Sequence, residues 1–180
     1  FIHPFDGPLT LQGSSTLGLE IVEYLKSTNT RIDNLLISVG GGGLISGVSS
    51  YVKQFYPKIK IIGVEPENAN GLNQSFRANK PLNNVNVNSI ADSLSAPLHM
   101  QYSFDVAKEV IDEMVTVSDD QMKKFMVFCY KKFKLFLEPA CVAGLAALKY
   151  KINNKLIGKN TMVILCGSNI DKKTWSDLTN

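Results

Sequence analysis

Four consecutive glycines, Gly40 to Gly43, stand between the apolar run Leu35-Leu36-Ile37-Ser38-Val39 and the stretch Leu44-Ile45-Ser46-Gly47-Val48. Glycine reaches positive φ without steric cost, so such a run lets successive backbone N–H groups turn toward one point. A helix that follows adds unpaired amides and the positive end of its dipole at the same place. The chemistry on offer is anion binding, most often of a phosphoryl group. A glycine run can also be no more than a flexible loop, but between a strand and a helix it occupies the place where open α/β sheets bind ligands. The dinucleotide fingerprint fails, because counting from Gly41 the sixth residue is Ser46 rather than Gly; the P-loop fails, because Val48 rather than Lys follows Gly47. A small phosphorylated cofactor or substrate is left.

Other residues could join such a site. Cys166-Gly167-Ser168-Asn169 follows the last apolar run, Glu138 precedes Pro139, and Glu65 closes an apolar run ahead of Pro66. A carboxylate and a proline are both favoured at a helix start, so Glu138 could equally be an ordinary N-terminal helix residue. The alternative for Cys166 is a small buried hydrophobe at a strand end. The three cysteines (Cys129, Cys141, Cys166) lie in apolar surroundings without metal-ligand spacing, which suits a reducing cytoplasm and argues against disulfides. Asp92 and His99 receive no role; a lone His near a Pro reads as structural.

The elements that must position these residues follow from periodicity. Gln12 to Ser27 places Leu17, Ile21, Val22 and Leu25 on one helical face. Ile32 to Val39 is a short apolar strand, and Gly43 to Phe55 a helix closed off by Pro57. Lys60 to Glu65 is a second strand, Asn68 to Ala78 a short helix, and the asparagine-rich stretch Asn79 to Asn88 a loop. Phe104 to Val110 reads as a helix and Glu113 to Val117 as a strand. Ser118-Asp119-Asp120-Gln121 forms a capping box, with Met122, Phe125, Met126, Cys129, Phe133 and Phe136 as a core stripe behind it. Cys141 to Lys151 is a small-residue helix and Thr161 to Leu165 the last strand. Strands alternating with helices predict an α/β fold, an open, twisted, mostly parallel sheet with helices on both faces. That geometry brings the glycine loop, Glu65 and Cys166-Gly167-Ser168-Asn169 to one edge.

Bulk properties exclude several classes. At 180 residues, 44% apolar and 19% charged, the chain can bury one core and is not of disordered composition. The net charge is only +3 and no basic stripe carries interleaved aromatics, which argues against nucleic-acid binding. No apolar stretch approaches the ~20 residues that cross a bilayer, so no membrane partner is expected. Neither a signal peptide nor an initiating Met is present, and Phe1-Ile2-His3-Pro4-Phe5-Asp6 reads like the middle of a longer protein.

Taken in order, these motifs resemble the fold-type-II pyridoxal-phosphate enzymes, specifically the serine/threonine dehydratase and serine racemase group, whose fold is tryptophan synthase beta-like. The resemblance runs through Phe1 to Asp6, Gln12-Gly13-Ser14-Ser15-Thr16-Leu17-Gly18-Leu19-Glu20-Ile21, Val39 to Gly47, Gly63-Val64-Glu65-Pro66, Ile90-Ala91-Asp92, Leu137-Glu138-Pro139-Ala140 and Cys166 to Asn169. It implies pyridoxal 5'-phosphate as cofactor, with Gly40, Gly41, Gly42 and Gly43 on its phosphate. It places Cys166 at the pyridine nitrogen and Glu138 near the ring, while Asn169, with Ser168, braces the loop. A thiol is a weak donor, so the ring nitrogen would stay largely unprotonated. Glu65 and the Ala69 carbonyl match ligands of the divalent cation (Mg or Ca) bound by some members. Gly71 stands where their pattern has Asp, and a hard cation needs several oxygens.

The family's chemistry rests on a lysine joined to the cofactor as a Schiff base, and no lysine here has that setting. No catalytic residue is therefore assigned. Residues 1–180 are expected to be the C-terminal part of the cofactor-binding domain of an L-threonine/L-serine dehydratase, inactive alone. When intact it would be a homo-oligomer acting on a small amino acid. A racemase and a non-catalytic phosphate-ligand or subunit-interaction module are the alternatives.

Overall fold

The computed structural model describes residues 1–179. Its centre is β1 (Asn34–Ser38), buried at every position as befits an interior parallel strand built on Leu35-Leu36-Ile37. β1 pairs in parallel with β2 (Lys60–Pro66) on one side and with β4 (Thr161–Val163) on the other. β2 in turn pairs in parallel with β3 (Glu113–Val117), giving the order β3-β2-β1-β4. Register sets the edge: Ser38 lies opposite Val64, so the residues that follow β1 and β2 emerge side by side.

Side-chain alternation divides the sheet into two faces. Leu35, Ile37 and Ile61 point into a core shared with α1 (Pro8–Thr28), α2 (Gly43–Phe55), α3 (Gly71–Ala78) and α4 (Gln101–Val110). Leu36, Ile62 and Val64 point the other way, toward α6 (Pro139–Tyr150) and the segment around Ile152; α5 (Asp119–Phe133) packs outside α6. α7 (Lys172–Thr179) rests on α5. Helices therefore cover both faces of an open parallel sheet, the architecture expected.

Local departures have local causes. α1 begins at Pro8, four residues earlier than apolar spacing indicates, because Pro8 occupies its first turn and Gly7 caps it at φ 89°. The capping box forms as expected: Ser118 accepts from the Gln121 amide, and the Gln121 side chain accepts from the Ser118 amide. The stripe behind it is shorter than expected. Met122, Met126 and Cys129 are fully buried, whereas Phe133 is exposed. The helix ends at Phe133, where Lys134 turns left-handed at φ 59°. Phe136 thus leaves the helical spacing and stacks on Trp175 at 5.0 Å between ring centroids.

Candidate functional site

The strand order reverses at β1: the chain moves outward through β2 and β3, then returns to lay β4 on the opposite side. A crevice at the carboxyl ends of β1 and β4 is the expected ligand position in such a sheet. A cleft of about 490 Å³ opens there, lined by Gly40 to Ile45 after β1, Cys166 after β4, Glu138 and Ala140 at the start of α6, and Asp92 to Pro97.

The glycine loop is shaped for close approach. Gly42 caps α2 at φ 93°, ψ −11°, a conformation that L side chains rarely adopt. A Cβ on Gly41 would lie 2.1 Å from the ring of Phe5, which packs against the loop. Phe5 is itself fixed, since its carbonyl accepts from Ser103 Oγ at 2.8 Å and the adjacent Asp6 accepts from the Ser103 amide at 2.7 Å. Among the described residues, no amide from Gly40 to Ile45 donates to a protein acceptor. Buried amides are nearly always paired, so this row is open to an external acceptor. Two side chains tether the loop by its carbonyls: His99 Nε2 lies 3.1 Å from Gly40 O, and Ser14 Oγ donates to Gly43 O at 2.9 Å. The charged residues lining the cleft, among those described, are Asp92 and Glu138. An anion held there would rely on amides and the α2 dipole.

Glu138 joins the two sides of the cleft. It stands at the N-cap of α6 yet makes no side-chain bond to its own helix. Instead Oε2 accepts from the Asn169 amide at 3.0 Å, and Oε1 accepts from Ser93 Oγ at 3.3 Å. The carboxylate lies under Gly167, where φ is 138° and an added Cβ would come within 2.4 Å of Oε1. Bracing of the Cys166 loop is thus done by Glu138, with Asn169 offering its backbone amide while its side chain is exposed. Cys166 is exposed on this loop, but partial burial of its thiol, with the Glu138 charge nearby, holds its pKa above the ordinary value. It therefore carries its proton at neutral pH. Ser38, at the end of β1, ties the sheet to α6 by donating to Ala140 O at 2.9 Å.

Glu65 has a different position from the one expected of a cation ligand. Its parity along β2 turns it toward α3, where it is completely buried. Oε1 accepts from the Leu72 amide at 2.8 Å and Oε2 from the Asn73 amide at 3.0 Å, so both oxygens serve the α3 N-terminus. Burial pushes its pKa up to about 8 against the lowering effect of these two bonds. Ala69 is buried just before α3. Among the described residues, no group of three or more His, Cys, Asp or Glu could hold a metal ion, and the cation expectation finds no support.

Sequence reasoning left Ser38, Ser93 and His99 without a place in the site. For Ser38 a signal existed: strand parity from Leu36 puts it on the α6 face. For Ser93 and His99 nothing local does so, because both reach the site from an irregular segment. The cysteines Cys129 and Cys141 are buried, and burial with nearby Cys166 and Glu138 pushes Cys141 up to about 12, so neither is a ready nucleophile.

Residues 1–167 match the family described as pyridoxal-phosphate dependent enzyme. The chain is 40% identical to phenylserine dehydratase of Ralstonia pickettii over 176 residues, 98% of this chain and 53% of that protein. It is 32% identical over 180 residues to the catabolic L-threonine dehydratase TdcB of Escherichia coli K12, covering 54% of it. Among solved structures, the processed form of threonine deaminase isoform 2 from Solanum lycopersicum superposes with a TM-score of 0.90 at 35% identity, over 99% of this chain and 51% of that one. Maize serine racemase superposes with a TM-score of 0.82 at 30% identity, over 98% of this chain and 54% of that one. The chain spans about half the length of the curated relatives it matches.

Proposed function

Because this chain belongs to the family of pyridoxal-phosphate-dependent enzymes, we propose that it forms the cofactor-holding part of an L-threonine/L-serine ammonia-lyase. The reaction would eliminate water from a β-hydroxy amino acid to leave an enamine, whose hydrolysis takes up one water and gives a 2-oxo acid and ammonia. The observation that carries this reading is the row of unpaired amides from Gly40 to Ile45 lining one cleft with Cys166 and the Glu138 brace. A phosphorylated pyridine fits it: the amides of Gly40 to Gly43 would hold the phosphate and Cys166 would meet the ring nitrogen. Bound there, the cofactor supplies a sink for the electrons of the substrate's Cα–H bond.

The chain's own residues set how that sink is tuned. Cys166 keeps its proton and offers only a weak S–H donor, which leaves the ring nitrogen largely unprotonated. A weaker sink favours prompt departure of the β-hydroxyl over a long-lived charge at Cα. Glu138 holds the Cys166 loop from below through Asn169 and, through Ser93, ties it to the opposite wall. No lysine lines the cleft among the described residues. On this reading residues 1–180 are the C-terminal part of the cofactor-binding domain, the amine that binds the cofactor comes from elsewhere in the protein, and the intact enzyme is a cytoplasmic homo-oligomer.

A racemase is the second reading, favoured by the fit to maize serine racemase. The experiment takes the full-length protein that contains this chain, confirms the long-wavelength absorbance of bound cofactor, and measures 2-oxobutanoate from L-threonine, pyruvate from L-serine and D-serine from L-serine. Release of 2-oxo acid with equimolar ammonia supports the lyase, and D-serine as the main product supports the racemase. Absence of cofactor absorbance together with all products would refute both and leave a non-catalytic phosphate-ligand module.

A further inference from the structure

His99 stands where no motif places a functional residue. It is 4% exposed, and its backbone amide is fixed by donation to Leu82 O at 2.7 Å. Nε2 lies 3.1 Å from the carbonyl oxygen of Gly40, the first residue of the glycine loop. A carbonyl only accepts, so the ring must carry its proton on Nε2. Nδ1 then holds a bare lone pair, and it is buried with no hydrogen-bond partner. The ring edge rests against the start of α3, where a Cβ on Gly71 would come within 2.5 Å of Cε1 and 3.1 Å of Nδ1, with Val85 beside it. This environment specifies one neutral tautomer: a second N–H would find no acceptor, and burial pushes the ring's pKa below its ordinary value.

The bond matters because of peptide planarity. The Gly40 C=O and the Gly41 N–H belong to one trans peptide unit and point in opposite directions. Holding the carbonyl toward His99 turns the Gly41 amide the other way. Four successive glycines have little conformational preference of their own. Their orientation has to come from outside, and His99 at Gly40 and Ser14 at Gly43 are the side chains that donate to the two ends of the run.

Resting on the phosphate-binding role proposed above, we infer that His99 is a positioning residue for the anion site: its Nε2–H holds the Gly40 carbonyl and so aims the Gly41 amide at the bound phosphoryl group. It touches neither substrate nor cofactor. Gln can present an amide N–H near the Nε2 position, whereas Leu fills the space and donates nothing.

The test measures dissociation constants for pyridoxal 5'-phosphate and for inorganic phosphate in the full-length protein, as wild type, His99→Gln and His99→Leu. Thermal unfolding of each unliganded protein is followed in parallel. The expected result is about tenfold weaker binding of both ligands by His99→Leu, the effect of one lost orienting hydrogen bond, with His99→Gln within about threefold of wild type. Equal binding by wild type and His99→Leu would overturn the inference, as would equal losses in both variants. Should His99→Leu not fold, the ¹⁵N chemical shifts of the wild-type ring decide: a protonated Nε2 and bare Nδ1 support the inference, and the opposite tautomer overturns it. Wild-type protein that binds neither ligand would overturn the phosphate-site reading itself, a result distinct from a failure of His99.

Discussion

Replacing Glu65 by Gln tests how the α3 end of the site is held. Glu65 accepts from the Leu72 and Asn73 amides in the first turn of α3, and Asn70, at the N-cap, caps no backbone amide with its side chain, which accepts from Gln74 instead. Glu65→Gln keeps the shape and one accepting oxygen but turns an NH₂ toward a backbone N–H. The loss of one buried bond costs about 1–3 kcal/mol at pH 5. The pH dependence then reverses the order. In wild type the buried carboxyl keeps its proton up to about pH 8, while the unfolded chain releases it above the ordinary value of 4.5. Between these values the unfolded state binds fewer protons, so the stability of wild type falls as pH rises. The slope approaches about 1.4 kcal/mol per pH unit, or about 5 kcal/mol across the interval. Glu65→Gln lacks this slope. The two proteins should match between about pH 6 and 7, and by pH 8 the variant should be the more stable by about 1–2 kcal/mol. His99 contributes with the opposite sign, because its ring is pushed down, but it is present in both proteins and cancels in the difference. Urea unfolding of the full-length protein without cofactor, at half-unit steps from pH 5 to 8.5, reads the crossing. Parallel curves for the two proteins would refute the argument that a buried, proton-holding Glu65 caps α3.

Three further outcomes follow from the same structure. Millimolar Mg²⁺ or Ca²⁺ should leave the melting temperature unchanged at pH 8, since both Glu65 oxygens serve α3; a clear rise would restore Glu65 as a cation ligand. Gly167→Ala forces a Cβ to within 2.4 Å of Glu138 Oε1 at φ 138°. It should cost about 1–3 kcal/mol of stability and weaken cofactor binding in a fluorescence titration, and wild-type affinity would contradict the Glu138 brace. Ser118→Ala removes the acceptor for the Gln121 amide at the start of α5 and should cost about 1 kcal/mol in chemical denaturation with cofactor affinity unchanged.

Local chemistry made much of this molecule readable before folding. The α2 bounds, Gly43 to Phe55, and those of β3, Glu113 to Val117, coincide with expectation because Gly, Pro and the capping box punctuate them. Placing Gly40 to Gly43 and Cys166 at one cleft required only the rule that parallel strands present their carboxyl ends together, whereas Glu138, at the start of α6, was reached through the family resemblance. Residues whose partners are set only by how the chain folds back were not readable. Glu65 looks like an oxygen ligand at a strand end until α3 folds back onto it; the sequence contains no sign that Leu72 and Asn73 will claim its oxygens. His99 lies 59 positions from Gly40, beyond α2, β2 and α3, and the largely irregular stretch between α3 and α4 carries no periodicity to bring the two together. Phe136 was misplaced for the opposite reason, because helical spacing continues in the letters after Lys134 has ended the helix.

A crystal structure of the full-length protein with pyridoxal 5'-phosphate tests the site most directly. The account predicts phosphoryl oxygens about 2.7–3.2 Å from amide nitrogens of Gly40 to Gly43, with Cys166 Sγ at the ring nitrogen. A phosphoryl group bound elsewhere, with the glycine amides facing solvent, would contradict it.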